Sequence, residues 1–199
     1  MGNSTILDLL ISIVVAGFLF LMVIRINGGT TENTFIYGNN LTVQENLISF
    51  VKIIESDFRL MGYCADHKKI PDPSAVILFA DSNKIKFLTD VESDGLVDTL
   101  EYYLGDSTAL RSTPNPKDRP LYRSVNSNNT TVFLFGIIEF KFNFLSTLGD
   151  TIKTPILEPQ SIHSICLTVG LESPSAYDQK YSSAYWRQLH LTSRNINNR

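Results

Sequence analysis

Residues 9–24 read LLISIVVAGFLFLMVI, sixteen positions without a charge and, apart from Ser12 and Gly17, without a polar or small break. With Ile6 and Leu7 on the far side of Asp8, the run covers about 19 residues. At 1.5 Å per residue a helix of that length spans roughly 28 Å, the hydrocarbon thickness of a bilayer. A cleaved secretory signal fits poorly, because no basic residue precedes the run and no small-x-small site stands before Arg25. A soluble core helix of this size would show a polar face, and this one shows none. Residues 1–26 therefore read as an uncleaved membrane helix. Asp8 is its anomaly, since an acid costs free energy in hydrocarbon and marks a functional position unless it lies at headgroup level. Only Arg25 flanks the run closely, so basic residues do not set its orientation.

Working outward, residues 27–41 open with NGGTTENTFIYGNN and read as a hinge or loop. A second helix is predicted over 42–61, opened by a Thr42/Glu45 capping box. Val43, Leu47, Phe50, Val51, Ile54, Phe58 and Met61 recur at helical spacing on one face, and Gly62 is placed to end the helix. Strands are predicted over 75–80 and 84–89 around an Asp81-Ser82-Asn83 turn, and over 99–104. A polar, proline-bearing loop follows over 106–120, then strands over 132–135, 137–144, 162–171 and 186–191. In 137–144, Ile138, Phe140, Phe142 and Phe144 share one face, alternating with Glu139, Lys141 and Asn143. The fold class is α+β: a long hydrophobic N-terminal helix and an amphipathic helix packed on an antiparallel sheet, with residues 42–199 as the globular domain.

Composition narrows the function. The 199 residues carry 17 basic and 20 acidic side chains, a formal net charge of −3, and offer no basic stripe for nucleic acid. Two cysteines and three histidines build neither a disulfide framework nor a zinc site. His163 and Cys166 would face opposite sides of a strand, His67 and His190 are remote, and no nucleophile elbow, P-loop or dinucleotide fingerprint occurs. An enzyme is not expected.

At this point the chain resembles the type IV pilin-like proteins, the minor pilins and minor pseudopilins. STILDLLISIVVAGFLFLMV (4–23) is similar to the family's N-terminal motif, with Asp8 at the position of its glutamate. VQENLISFVKIIESDFRLMGYC (43–64) ends in a D-x-R-x-x-G-Y pattern through Asp57, Arg59, Gly62 and Tyr63. Downstream lie A-D-x-N-x-I-x-F (80–87), D-G-x-x-D-T (94–99), L-Y-R (121–123), G-I-x-x-F-x-F (136–142) and S-R-N (193–195), in family order. The resemblance implies a non-enzymatic subunit inserted in the inner membrane with its globular domain outside the cytoplasm. Its partners would be other pilin-like subunits, bundled through their N-terminal helices, and assembly platform proteins. The assembly would be a pilus or a type II secretion-like filament that the subunit initiates, caps or joins. Asp8 would pair with a neighbour's N-terminal amine. The processing junction departs from the pattern: among Gly2, Asn3 and Ser4 the glycine stands one residue early, and no basic leader precedes it. The alternative is an uncleaved single-pass protein whose outer domain binds a partner or calcium within a fixed membrane complex.

Three further groups have two readings each. Asp90, Glu92, Asp94, Asp98 and Glu101 fall at calcium-loop positions around Gly95, but strands rather than helices flank them; the other reading is a solvated turn with Gly95 at positive φ. Cys64 and Cys166 either form a disulfide or remain two buried thiols. Tyr177, Tyr181, Tyr185 and Trp186 either present a partner-facing stripe on a short helix or pin a loop to the sheet.

Overall fold

The computed structural model describes residues 2–110, 113–177 and 180–191. The chain divides into two compact units, one ending at Asn39 and the other beginning at Asn40. One helix, α1 (Gly2–Arg59), contributes to both.

In the first unit every large apolar side chain from Ile6 to Ile26 is more than half exposed. By length and composition α1 is long and apolar enough to cross a membrane. The hinge expected over 27–41 is not present, since these residues are helical. The Gly, Asn and Thr residues weaken a helix without breaking it. A glycine costs about 1 kcal/mol relative to alanine, whereas only a proline would remove a backbone donor, and the segment has none. The threonines turn back on the helix: Thr30, Thr31 and Thr34 hydroxyls donate to the carbonyls of Ile26, Asn27 and Thr30 at 2.9–3.0 Å. Thr42 consequently lies inside a helix and not at its N-cap.

In the second unit the predicted face of α1 is the buried one. Val43, Leu47, Phe50, Val51, Ile54 and Phe58 all lie in the core, joined by Met61 beyond the last turn. The helix ends at Arg59, and the Gly62 N–H donates to the Leu88 carbonyl at 2.8 Å, so the chain leaves the helix directly onto a strand.

That strand belongs to a five-stranded antiparallel meander of β1 (Ile77–Asp81), β2 (Lys84–Thr89), β3 (Asp98–Leu104), β4 (Leu121–Val125) and β5 (Asn129–Phe133), in chain order across the sheet. A second sheet comprises β6 (Ile137–Leu145), β7 (Thr151–Ile152), β8 (Ser164–Tyr177) and β9 (Lys180–Leu191), ordered β7-β6-β8-β9. The fold class is α+β with helix on antiparallel strands, as expected, but the strands form two sheets where one was expected. The two sheets meet the helix through aromatic rings. Phe50 stands 5.1 Å from Phe133 of the first sheet and 6.2 Å from Phe140 of the second. Phe58 lies 5.2 Å from Phe87 and 5.9 Å from Phe142.

Several strands differ from expectation. β4 was not anticipated, because its inward positions include Arg123. β6 buries Ile137 in place of Ile138, since the register with β8 shifts between Ile137 and Glu139 and resets the alternation. β8 and β9 extend well past their predicted ends and form one long hairpin.

Gly136 makes this second sheet possible. Its φ is +82°, and a Cβ built there would lie 1.9 Å from the Glu172 carbonyl oxygen. The Gly136 carbonyl in turn accepts the Glu172 N–H at 2.8 Å. Gly136→Ala is therefore expected to destabilise the second unit by at least about 2 kcal/mol, combining left-handed strain with a backbone clash. Equilibrium urea unfolding checks this, and an unchanged midpoint would contradict the close approach.

Candidate functional site

The most developed polar constellation joins α1 to the first sheet. Asp57 lies on the core face of α1 and is 8% exposed. Arg123 of β4 grips it in a fork, Nε donating to Oδ2 at 2.6 Å and Nη2 to Oδ1 at 3.0 Å. The hydroxyl of Tyr102, a fully buried β3 residue, donates to the same Oδ2. Burial pushes the Tyr102 phenol well above its ordinary pKa, and the Asp57 charge and hydrogen bond push further against the opposing Arg123. Hydrogen bonding to Asp57 likewise raises the Arg123 guanidinium, against its desolvation. The phenol is thus neutral and the guanidinium charged throughout the accessible pH range. Removing one partner of a buried pair strands the other charge at a cost of about 3–5 kcal/mol, whereas an apolar replacement of the whole set is often neutral. Asp57→Ala is expected to cost about that much in urea unfolding. The triple replacement Asp57→Leu, Arg123→Met, Tyr102→Phe is expected to recover most of it.

Asp57, Arg59, Gly62 and Tyr63 were read only as a motif, and Arg123 as part of another. The contact between them was missed, although an acid on an apolar helix face demands a buried cation, and Arg between Leu121 and Val125 supplies one.

A second buried cluster, also missed, ties the 113–120 segment to β8. Lys117 Nζ pairs with Glu172 Oε1 at 3.1 Å, and Asn115 Nδ2 donates to Glu172 Oε2 at 3.0 Å. Asp118, 2% exposed, has its Oδ1 buried without a hydrogen-bond partner. Burial raises the Asp118 carboxyl, the Thr113 hydroxyl opposes, and the Glu172 charge raises it further. An acid whose folded pKa is raised keeps its proton longer folded than unfolded. Relative to the ionised form, its proton therefore contributes stability that is fully present below the unfolded carboxyl value and is lost as pH rises from there through the folded pKa. Asp118→Asn should raise the thermal midpoint at pH 7 and change it little below pH ~3.8, the unfolded carboxyl value. A loss of stability at both pH values would contradict this.

The carboxylates of the 90–101 loop do not converge. Asp90, fully buried, accepts N–H bonds from Ala65, Asp94 and Gly95 at 2.8–3.1 Å. Its burial works against the charged form, but the N–H groups of Ala65, Gly95, Asp94 and Ser93 prevail and lower its pKa. Asp98 accepts from the Val91 N–H and from Asn126, and Asp94 from the Leu96 N–H. Glu101 pairs with Lys84 at 2.6 Å, and Glu92 is exposed. Gly95 has φ +79°, as the turn reading expects. Among the described residues no group of three or more His, Cys, Asp and Glu is placed to hold a metal ion.

Cys64 and Cys166 are both buried and free, so the disulfide reading is corrected. Cys64 belongs to the core, whereas Cys166 lies between the core residues Ile165 and Leu167 and so faces the other side of its strand. The aromatic stripe is not helical. Tyr181, Tyr185 and Trp186 lie on β9, where a spacing of four still puts both tyrosines on one face. Trp186 turns the other way and packs against the core. The Tyr181 hydroxyl donates to the Pro114 carbonyl at 3.1 Å, while Tyr185 remains 59% exposed. Tyr177 ends β8, but its side chain lies outside the described residues, as do the side chain of His190 and the S-R-N ending. His67 and His163 are exposed.

Asp8 is an exposed helical residue among the exposed apolar side chains, and its carbonyl accepts the Ser12 hydroxyl at 2.8 Å. Gly2, Asn3 and Ser4 are helical, with side chains outside the described residues. No family model, characterised protein or solved structure matches the chain.

Proposed function

We propose that this chain is a non-enzymatic structural subunit of the minor pilin-like or pseudopilin-like kind. Its N-terminal helix sits in the inner membrane and joins it to neighbouring subunits, and its second unit stands outside the cytoplasm. The observation that carries the reading is the exposed apolar surface of residues 6–26 with one carboxylate, Asp8, inside it. Such a surface calls for lipid or other apolar helices, and a carboxylate there calls for a cationic partner or a proton. A neighbour's N-terminal amine is the partner that the resemblance supplies. The second unit, by contrast, buries a core of its own.

Asp8→Ala separates anchoring from assembly. In cells making two differently tagged copies, the variant is expected to reach the membrane with a folded outer unit, yet to co-purify with its neighbour several-fold less well. Undiminished co-purification would remove charge pairing from the account and leave the uncleaved single-pass component as the better reading.

A further inference from the structure

β7 pairs with β6 only through Phe144↔Ile152 and Leu145↔Thr151, and the chain then leaves the sheet. Beyond that point the β1–β2 turn takes its place. The Phe142 N–H donates to the Ser82 carbonyl at 2.8 Å, and the Ile156 N–H to the Ala80 carbonyl at 3.0 Å. Between the turn, β6 and the departing segment lies a cleft of about 360 Å³. That is within the range of ligand pockets, which begins at roughly 300 Å³. Backbone hydrogen bonds hold each of its walls, so the cleft is formed before anything enters it.

The chemistry of the lining is one-sided. Ser82, Lys141, Asn143, Thr151, Lys153 and Thr154 contribute polar side chains, two of them cationic, and no acid lines the cleft. Among the described residues the ion pairs use Arg59, Lys84, Lys117 and Arg123, so neither cleft lysine has a counter-charge there. The three hydroxyls and the Asn143 carboxamide have no hydrogen-bond partner among them either. Asp81, beside the lining, turns its carboxylate onto the Ser82 N–H at 2.6 Å. Two ammonium groups brought to one cleft repel each other, and the chain as a whole carries a formal net charge of −3.

We propose that this cleft binds a phosphate group. The charges match, because a phosphate monoester carries about −1.5 to −2 at pH 7 against two lysines. Its several oxygens also accept from donors on different sides, here two ammonium groups, three hydroxyls and an amide. A carboxylate is the poorer match: its planar pair of oxygens is best met by an arginine fork, whereas lysines act as point charges. The remaining volume admits a small organic moiety beside the phosphate. A soluble phosphate ester and the headgroup of an anionic lipid present the same chemistry. The site lies wholly in the second unit and does not rest on the role proposed for the N-terminal helix.

The test uses the full chain in phosphatidylcholine nanodiscs at pH 7. Glycerol 3-phosphate is titrated at constant ionic strength against sodium chloride, with glycerol as the uncharged control, and the thermal midpoint is followed. A saturable rise is expected that glycerol does not give. The double variant Lys141→Gln, Lys153→Gln is expected to need at least about tenfold more ester for the same rise, having lost two charge-assisted hydrogen bonds. Both lysines are exposed, so its midpoint without ester should equal that of the parent. Lys86→Gln, on the other sheet, should respond as the parent does. Nanodiscs containing phosphatidic acid form the second arm. A midpoint raised only there, and lost in the double variant, would assign the phosphate to a lipid headgroup. No response in either arm, or a response that the double variant keeps, would overturn the proposal.

Discussion

A carboxylate on the core face of a helix can be buried only with its counter-charge, and Asp57 imposes that condition on the second unit. Arg123 must point inward from β4 and Tyr102 inward from β3, so two neighbouring strands are held to α1 at one register. A slip of one residue in either strand would turn its side chain to the outer face. Around this joint the aromatic residues close the core, with Phe58 touching rings from both sheets. The ion pair adds little net stability by itself, because desolvation offsets most of its attraction. Its contribution is to penalise every arrangement that leaves Asp57 or Arg123 alone.

The two parts of α1 obey different solvents. From residue 43 onward the helix has a buried face and an exposed one, the ordinary solution for a helix on a sheet. Over residues 5–26 it has no polar face, and its side chains are exposed all round. Burying such a surface is worth roughly 25 cal/mol per Å², so lipid or neighbouring apolar helices are the environment that suits it. This contrast is the physical ground for reading the chain as a tethered assembly subunit.

What could be read in advance follows the range of each interaction. The buried face of α1 was legible because six apolar residues recur at helical spacing between Val43 and Phe58. β6 was legible as a half-buried strand, but its bulge was not, since a bulge depends on the partner strand. The glycines and asparagines of 27–41 carry a local turn signal, yet without a proline a helix already propagating on both sides absorbs them. The tyrosine spacing of four was ambiguous in principle, because four is close to a helical turn and is also an even number of strand residues. The carboxylates of 90–101 matched a calcium loop along the chain, while the competing ligands (the N–H groups of Ala65, Asp94 and Gly95 on Asp90) became visible only in three dimensions. The Asp57–Arg123 contact spans 66 residues and leaves no spacing signal at all.

The most direct test of the account is to follow the N-terminal peptide in the native organism. Membranes would be washed with alkaline carbonate, surface filaments sheared and collected, and the first peptide of the chain in each fraction identified by mass spectrometry. The account predicts a chain that resists carbonate extraction and also occurs in the sheared filaments, with residues 4–26 retained in both. A chain recovered from the soluble fraction, or one whose first peptide begins beyond residue 26, would contradict it.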